Sequence, residues 1–251
     1  MLKEERFKKI MKQINLHNKV LSIDLSSLLK VSEDTVRRDL KELADADQLV
    51  RVHGGAVSKT MVKPFISGQS VYAQEEKQTI AKKAIALIKD DMTILMEGGT
   101  TMFEIANIIP DSYNLTIFTV SPQIAIALSD HENVNVYTIG GRLHKNSNIH
   151  VGTRTINELY RLRCDLCFMG VNALSVERGL TDIDLDLVEV NKAMFEVSNK
   201  KVLITISEKM NVQKRYQIAD LSRIDYLITE LPPHDELLKP VSRSFPNLCI
   251  L

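Results

Sequence analysis

Arg37 and Arg38 stand in tandem, and paired guanidinium groups suit phosphate oxygens and the edges of guanine bases. Ser32, Thr35 and Lys41 lie in the same stretch, and Arg51 and His53 follow closely. A second set of candidates is spread farther along the chain. Glu97-Gly98-Gly99-Thr100-Thr101 joins glycines, which let a backbone approach an anion, to hydroxyl donors. No Gly-Lys-Ser/Thr ending follows, so it is not a nucleotide P-loop. Gly140-Gly141-Arg142 adds a second glycine pair with a cation, and Lys209 adds an ammonium able to neutralise phosphate. Singly, an ordinary strand–helix turn or a solvated lysine explains each of these; their shared position at strand ends is what joins them.

Elements must hold these groups in place. Phe7, Ile10, Met11 and Ile14 recur at helical spacing and predict an amphipathic helix over about 4–16. Ser22 is the expected cap of a second helix, with Asp24 in its first turn and Leu25, Leu28 and Leu29 inward. Ser32 caps a third, on which Val36, Leu40 and Leu43 form the buried stripe. Thr35, Arg37, Arg38 and Lys41 then project mostly outward. A turn at 45–48 leads to a short strand at 49–52 and the turn His53-Gly54-Gly55. This succession reads as a winged helix-turn-helix whose third helix is short enough to enter a major groove. A plain three-helix bundle with solvated charges gives the same pattern.

Residues 58–75, with Lys63-Pro64 and Gly68, show no clear period and read as a linker. It separates a DNA-binding domain at 1–57 from a larger domain at 76–251. There, apolar runs at 92–96, 115–120, 134–139, 166–171, 202–206 and 226–229 alternate with helical patterns near 103–109, 123–129, 156–162 and 187–198. The expected fold is therefore an α+β winged helix-turn-helix domain followed by an α/β domain with a mostly parallel sheet. Ligands collect beyond the carboxyl ends of such strands, where the three candidate loops fall.

The 251 residues carry 32 basic and 32 acidic side chains, a balance that by itself points away from nucleic acid. Residues 1–60 hold eight Lys and four Arg against five Asp and four Glu, so a charge of +3 on the first part is offset by −3 on the rest. No apolar run reaches membrane-helix length, and the opening MLKEERFKKI lacks the apolar stretch of a secretory signal. Three cysteines suit a reducing compartment, so a cytoplasmic protein is expected. Cys164-Asp165-Leu166-Cys167 has no second pair to close a zinc site. Asp182-Ile183-Asp184-Leu185-Asp186 has Leu187 where a calcium loop needs glycine. No HExxH or GxSxG is present, and His144 and His150 read as surface or loop residues. Neither a metal nor a cofactor is expected.

The string VSEDTVRRDLKEL followed by LVRVHGGA resembles the DeoR family of bacterial transcription regulators. EEKQTIAKKA, GGTT, IGGRL, GLTD and a late SEK resemble segments of that family's sensor domain, in order, so the likeness spans nearly the whole chain. It implies a repressor of carbohydrate metabolism genes, a homodimer or homotetramer on operator DNA, with Thr35, Arg37 and Arg38 in contact with the DNA. It also implies a sensor similar to ribose-5-phosphate isomerase that binds a phosphorylated sugar or related metabolite. Gly99, Thr100, Thr101, Gly141 and Lys209 match the family's effector positions, beside Glu97, Gly98, Arg142 and Asn172 as neighbours. The sequence departs from the pattern at several places. Asp47 stands where glycine is usual, Glu97 where Asp is common, Gly68 where Arg is common and Ile206 where Asp is frequent. Asn172-Ala173 replaces a small polar residue and Gly, and Leu187 and Asn191 replace Glu and Lys. An isomerase with an appended DNA-binding domain is the competing reading, and it needs a carboxylate base that the 170–173 segment lacks. A regulator that has lost effector control is another.

Overall fold

The apolar stripes of the first sixty residues close around one small core, and a separate core forms under a large sheet farther on. The structure, a computed structural model, describes residues 1–17, 19–58 and 72–251. Contacts divide the chain into Met1–Tyr72 and Ala73–Leu251. Most of the expected linker, including Lys63, Pro64 and Gly68, lies outside the described residues.

In the first unit, α1 (Lys3–His17) is followed by β1 (Lys19–Leu21), α2 (Ser22–Leu29) and α3 (Glu33–Asp45). β2 (Leu49–Val52) and β3 (Gly55–Ser58) complete it, and the strands pair antiparallel in the order β1-β3-β2. Ile10, Ile14, Leu25, Val36, Leu40 and Leu43 meet in the core. Ser32 caps α3 as expected, its hydroxyl accepting from the Thr35 N–H at 3.3 Å. Ser22 does not cap α2. The strand β1 runs directly into the helix, Leu21 takes the cap position, and the Ser22 N–H donates to the Gly54 carbonyl at 2.8 Å. Three residues are too few for alternation to announce β1, and no element was expected there. Asp47 adopts φ 56°, the left-handed conformation that its glycine-like position requires. Gly55 is fixed by crowding, since a Cβ there would sit 1.9 Å from the Val20 carbonyl oxygen.

The second unit begins with α4 (Gln74–Ile85), then β4 (Thr93–Met96), α5 (Thr100–Asn107), β5 (Leu115–Thr119), α6 (Pro122–Leu128) and β6 (Val134–Thr138). A hairpin, β7 (Arg142–His144) and β8 (Ile149–Val151), precedes α7 (Thr153–Leu159) and β9 (Cys164–Gly170). β10 (Ala173–Ser175), β11 (Gly179–Asp182), α8 (Leu185–Glu196), β12 (Ser198–Ile204) and β13 (Tyr216–Ala219) follow. β14 (Tyr226–Ile228), α9 (Lys239–Ser244) and β15 (Cys249–Ile250) end the chain. The main sheet has seven strands in the order β15-β14-β12-β9-β4-β5-β6, every pair parallel. All six expected apolar runs lie in it. A small antiparallel sheet, β10-β11-β13, stands apart.

Strand order makes one point of this sheet special. From β4 the chain winds outward through β5 and β6, then returns to β9 on the other side of β4 and continues to β12, β14 and β15. The crevice between the carboxyl ends of β4 and β9 is therefore the topological switch point, the usual ligand position in such folds. The expected helix at 187–198 ends earlier, at Glu196, because Ser198 already pairs with Cys164 as part of β12. Polar Asn199, Lys200 and Lys201 hid that strand from an apolar count; Lys200 reaches Asp225 at 2.8 Å instead. His144 and His150 are strand residues rather than loop residues. His144 contacts Asp184 at 3.0 Å and Ser147 at 2.7 Å, and His150 contacts the Ile139 carbonyl at 2.8 Å.

Candidate DNA interface and effector site

On α3 the buried side is Val36, Asp39, Leu40 and Leu43, which turns Arg37, Arg38 and Lys41 to solvent. Thr35 is half-buried, its hydroxyl 3.0 Å from that of Ser32. Arg37 pairs loosely with Glu33 at 3.3 Å and Asp34 at 3.6 Å, contacts weak enough in water for phosphate to displace. Arg51 on β2 and His53 in the turn beyond it are also exposed. Ser22, Arg37, Leu40, Arg51, His53 and Gly54 line one open cleft of about 370 Å³. The helix and the wing thus share a concave surface carrying two arginines. Asp39 holds α3 in place from beneath: its carboxylate accepts from Arg6 Nε at 2.7 Å and Nη2 at 2.9 Å. Only 3% of the Asp39 side chain is exposed, so the pair is a buried anchor between α1 and α3. The bond raises the Arg6 pKa further, so that arginine keeps its charge.

At the switch point, Glu97 leaves β4 and its carboxylate accepts from the Gly170 N–H at the end of β9, at 2.8 Å. Burial pushes this carboxyl up to about 7, an effect that hydrogen bonds from Gly170 and Asn191 offset and that Asp182 reinforces. Asp182, at the end of β11, is itself raised by burial, although it accepts from Asn172 Nδ2 at 2.7 Å and from the Ile183 and Asp184 N–H groups. Lys209 sits in the short turn Ser207–Lys209 after β12. Burial lowers its pKa, while Glu97 and Asp182 act the other way. Lys77 on α4 is lowered to about 8, by burial first and then by Lys209. Lys209, facing Glu97 and Asp182, and Lys77, facing Glu104 and Glu76, repel one another across a cluster of mixed charge.

The glycine turn adjoins this cluster. Gly99 has φ 101° and no side chain caps α5, which leaves the first-turn N–H groups of Thr100 and Thr101 facing the turn. A Cβ on Gly98 would come within 2.5 Å of Ile149, so close packing demands that glycine. Gly141 immediately precedes β7 and Arg142 begins it, at the start of the β7–β8 hairpin. Gly141 packs against Thr155 and the Val151 carbonyl, where a Cβ would meet the Thr155 hydroxyl at 2.0 Å. Arg142 pairs with Asp186 in the first turn of α8. Ile206 cannot cap the turn before Lys209, and Glu230 does so instead, accepting from the Ser207 N–H at 2.9 Å.

Asp182, Asn191 and Lys77 belong to the cluster and were not among the expected site residues. Lys77 was legible in principle, because Lys77, Ile80, Ala81 and Ala84 fall on one buried stripe of α4. The 170–173 segment indeed carries no carboxylate of its own, yet Glu97 and Asp182 both reach it from other strands. Cys164 and Cys167 are buried, and burial raises both thiols, Cys164 to about 11.

A winged helix-turn-helix followed by an α/β domain with a polar switch-point crevice is the make-up of a DNA-binding transcription regulator. The chain belongs to the DeoR family: residues 6–62 match the DeoR-like helix-turn-helix domain and residues 72–231 the DeoR C terminal sensor domain. It is similar to the HTH-type transcriptional regulator GolR of Listeria innocua, with 32% identity over 90% of each chain. It is also similar to the HTH-type transcriptional repressor GlcR of Bacillus subtilis, with 29% identity over 100% of this chain and 97% of that one. Among solved structures, ribose 5-phosphate isomerase A of Methanocaldococcus jannaschii covers 55% of this chain and 54% of its own, at 19% identity and a TM-score of 0.39. That likeness is too remote to argue from.

Proposed function

We propose that this chain represses carbohydrate metabolism genes, binding operator DNA as a cytoplasmic homodimer or homotetramer and releasing it under control of a phosphorylated sugar or related metabolite. The observation that carries the reading is the switch-point cluster, in which Lys209 faces Glu97 and Asp182 and Lys77 faces Lys209. In this reading the lysines and the α5 N–H groups receive the phosphate, with Thr100 and Thr101 adding hydroxyl donors, while the carboxylates and Asn172 meet hydroxyls. Ser32, Thr35, Arg37, Arg38, Lys41, Arg51 and His53 form the DNA surface. Effector and operator affinities are then linked, each altering the other by the same factor.

An isomerase is the second reading. It is favoured by one feature, a Glu97 carboxyl held near 7 in the crevice, which is the range of a general base. The role proposed for this chain is regulatory and not enzymatic. A thermal-shift screen of phosphorylated sugars, followed by operator binding with the best hit, tests the regulator. Ribose 5-phosphate turnover that disappears in Glu97→Gln would establish the enzyme instead.

A further inference from the structure

The seven-stranded sheet ends differently at its two edges. β15, at one edge, is two residues long, too short to offer a template to another chain. β6, at the other, runs five residues, each matched in unbroken register to a residue of β5. Its sequence Val-Asn-Val-Tyr-Thr holds no charge, proline or bulge, the devices that usually blunt an open edge. The Ile139 N–H donates to the Thr119 carbonyl at 2.8 Å, and the Asn133 carbonyl accepts from the Leu115 N–H at 3.0 Å. By the alternation of a parallel ladder, Asn135 and Tyr137 also turn their main-chain groups to β5, and those of Val136 and Thr138 point outward. Among the described residues, no strand pairs with that outer side. The side chains of Asn135 and Tyr137 share one face of the strand and are exposed, Tyr137 to 53% although its ring stacks on Phe118 at 5.0 Å.

We propose that β6 is a self-association surface, pairing antiparallel with β6 of a second copy of this chain about a twofold axis at Val136. This names a surface for the homo-oligomer of the reading above and rests on that reading. A twofold pairing must set outward main-chain groups against outward ones, and centring it on Val136 keeps all five residues paired. Val136 then exchanges both hydrogen bonds with its own counterpart, and the Thr138 N–H reaches the Val134 carbonyl of the other copy. Asn135 stands opposite Tyr137, so an amide meets a phenol ring on each side of the axis. Charge favours a second copy in this direction. Glu132, exposed just before β6, falls opposite Gly140, just after it. Arg154 of α7 lies beside Gly140, where a Cβ would be 4.0 Å from its Nη2. The Arg154 side chain is 78% exposed and holds Glu158 only at 3.7 Å, while Glu158 itself accepts from the Gly140 N–H at 3.0 Å. The guanidinium can therefore turn to an incoming carboxylate, and an antiparallel copy supplies Glu132 to Arg154 twice.

Sedimentation equilibrium of the full chain at low salt tests this with charge substitutions at the facing pair. Asn135→Glu with Tyr137→Glu sets carboxylates against carboxylates, and Asn135→Lys with Tyr137→Lys sets ammonium groups against ammonium groups. Each should halve the assembly mass found for the wild type. An equal mixture of the two variants should regain that mass, because opposite charges then face across the axis. Asn135→Lys with Tyr137→Glu gives up the same ring and amide but sets opposite charges together within one sequence. It should assemble like the wild type, which separates lost pairing from a folding defect. Unchanged masses in the double-Glu and double-Lys variants, or halved masses that do not recover on mixing, overturn the proposed surface and leave the regulator reading standing. A monomeric wild type overturns the surface and the homo-oligomer together.

Discussion

Glu97 and Asp39 are both enclosed carboxylates, and they differ in what surrounds them. Asp39 has a bidentate arginine; Glu97 has one backbone N–H, an amide, a carboxylate neighbour and Lys209, and burial raises it to about 7. A carboxyl whose folded pKa exceeds its unfolded value contributes stability below about 4.5, and this is lost as pH rises through about 7. Glu97→Gln removes that loss. It should match the wild type near pH 4 and exceed it by about 1–3 kcal/mol at pH 8 in urea unfolding. Asp182 and Lys209 feel the Glu97 charge, so the difference reports Glu97 together with that coupling. Asp39→Ala leaves the Arg6 guanidinium uncompensated, at a cost of about 3 kcal/mol. Hydrogen exchange at α3 amides should accelerate by roughly 100-fold, the kinetic equivalent of that cost. Neither pairing could be read from the sequence: Arg6 and Asp39 are 33 positions apart, and each sits in a charged run that looks solvated.

The elements that were legible are those whose pattern is long or uniform. Near-continuous apolar runs announced six of the seven parallel strands, and Val36, Leu40 and Leu43 fixed which way α3 faces. The three-residue β1, the polar first half of β12 and the short strands β10, β11 and β13 carry no comparable signal. That matters for the site, because Asp182 is delivered by β11 and stood in the sequence in the GLTD segment and in a failed calcium loop, without a site role. Gly141 and Arg142, read as a ligand loop, also have structural partners: Gly141 packs against Thr155 and Arg142 pairs with Asp186. Two predictions belong to this scale. Arg37→Ala with Arg38→Ala should weaken operator binding and reduce the slope of log affinity against log salt by about 1 to 2, read by fluorescence anisotropy. Thr100→Val, at the start of α5, should weaken the effector by about tenfold and leave DNA affinity unchanged.

Across the whole chain, an overall charge of zero conceals a first part at +3 and a remainder at −3. So small an excess does not bind DNA by its field alone; the placement of Arg37 and Arg51 in one cleft beside His53 gives it direction. In the proposed reading the two units divide the labour of a regulator, with DNA contacts in one and metabolite recognition in the other. The linkage between them is tested most directly by measuring operator affinity at fixed salt with increasing concentrations of the phosphorylated sugar found by thermal shift. The account predicts that affinity falls to a lower plateau, and that effector affinity measured with and without operator changes by the same factor. An operator affinity unmoved at effector concentrations that saturate the crevice would contradict it.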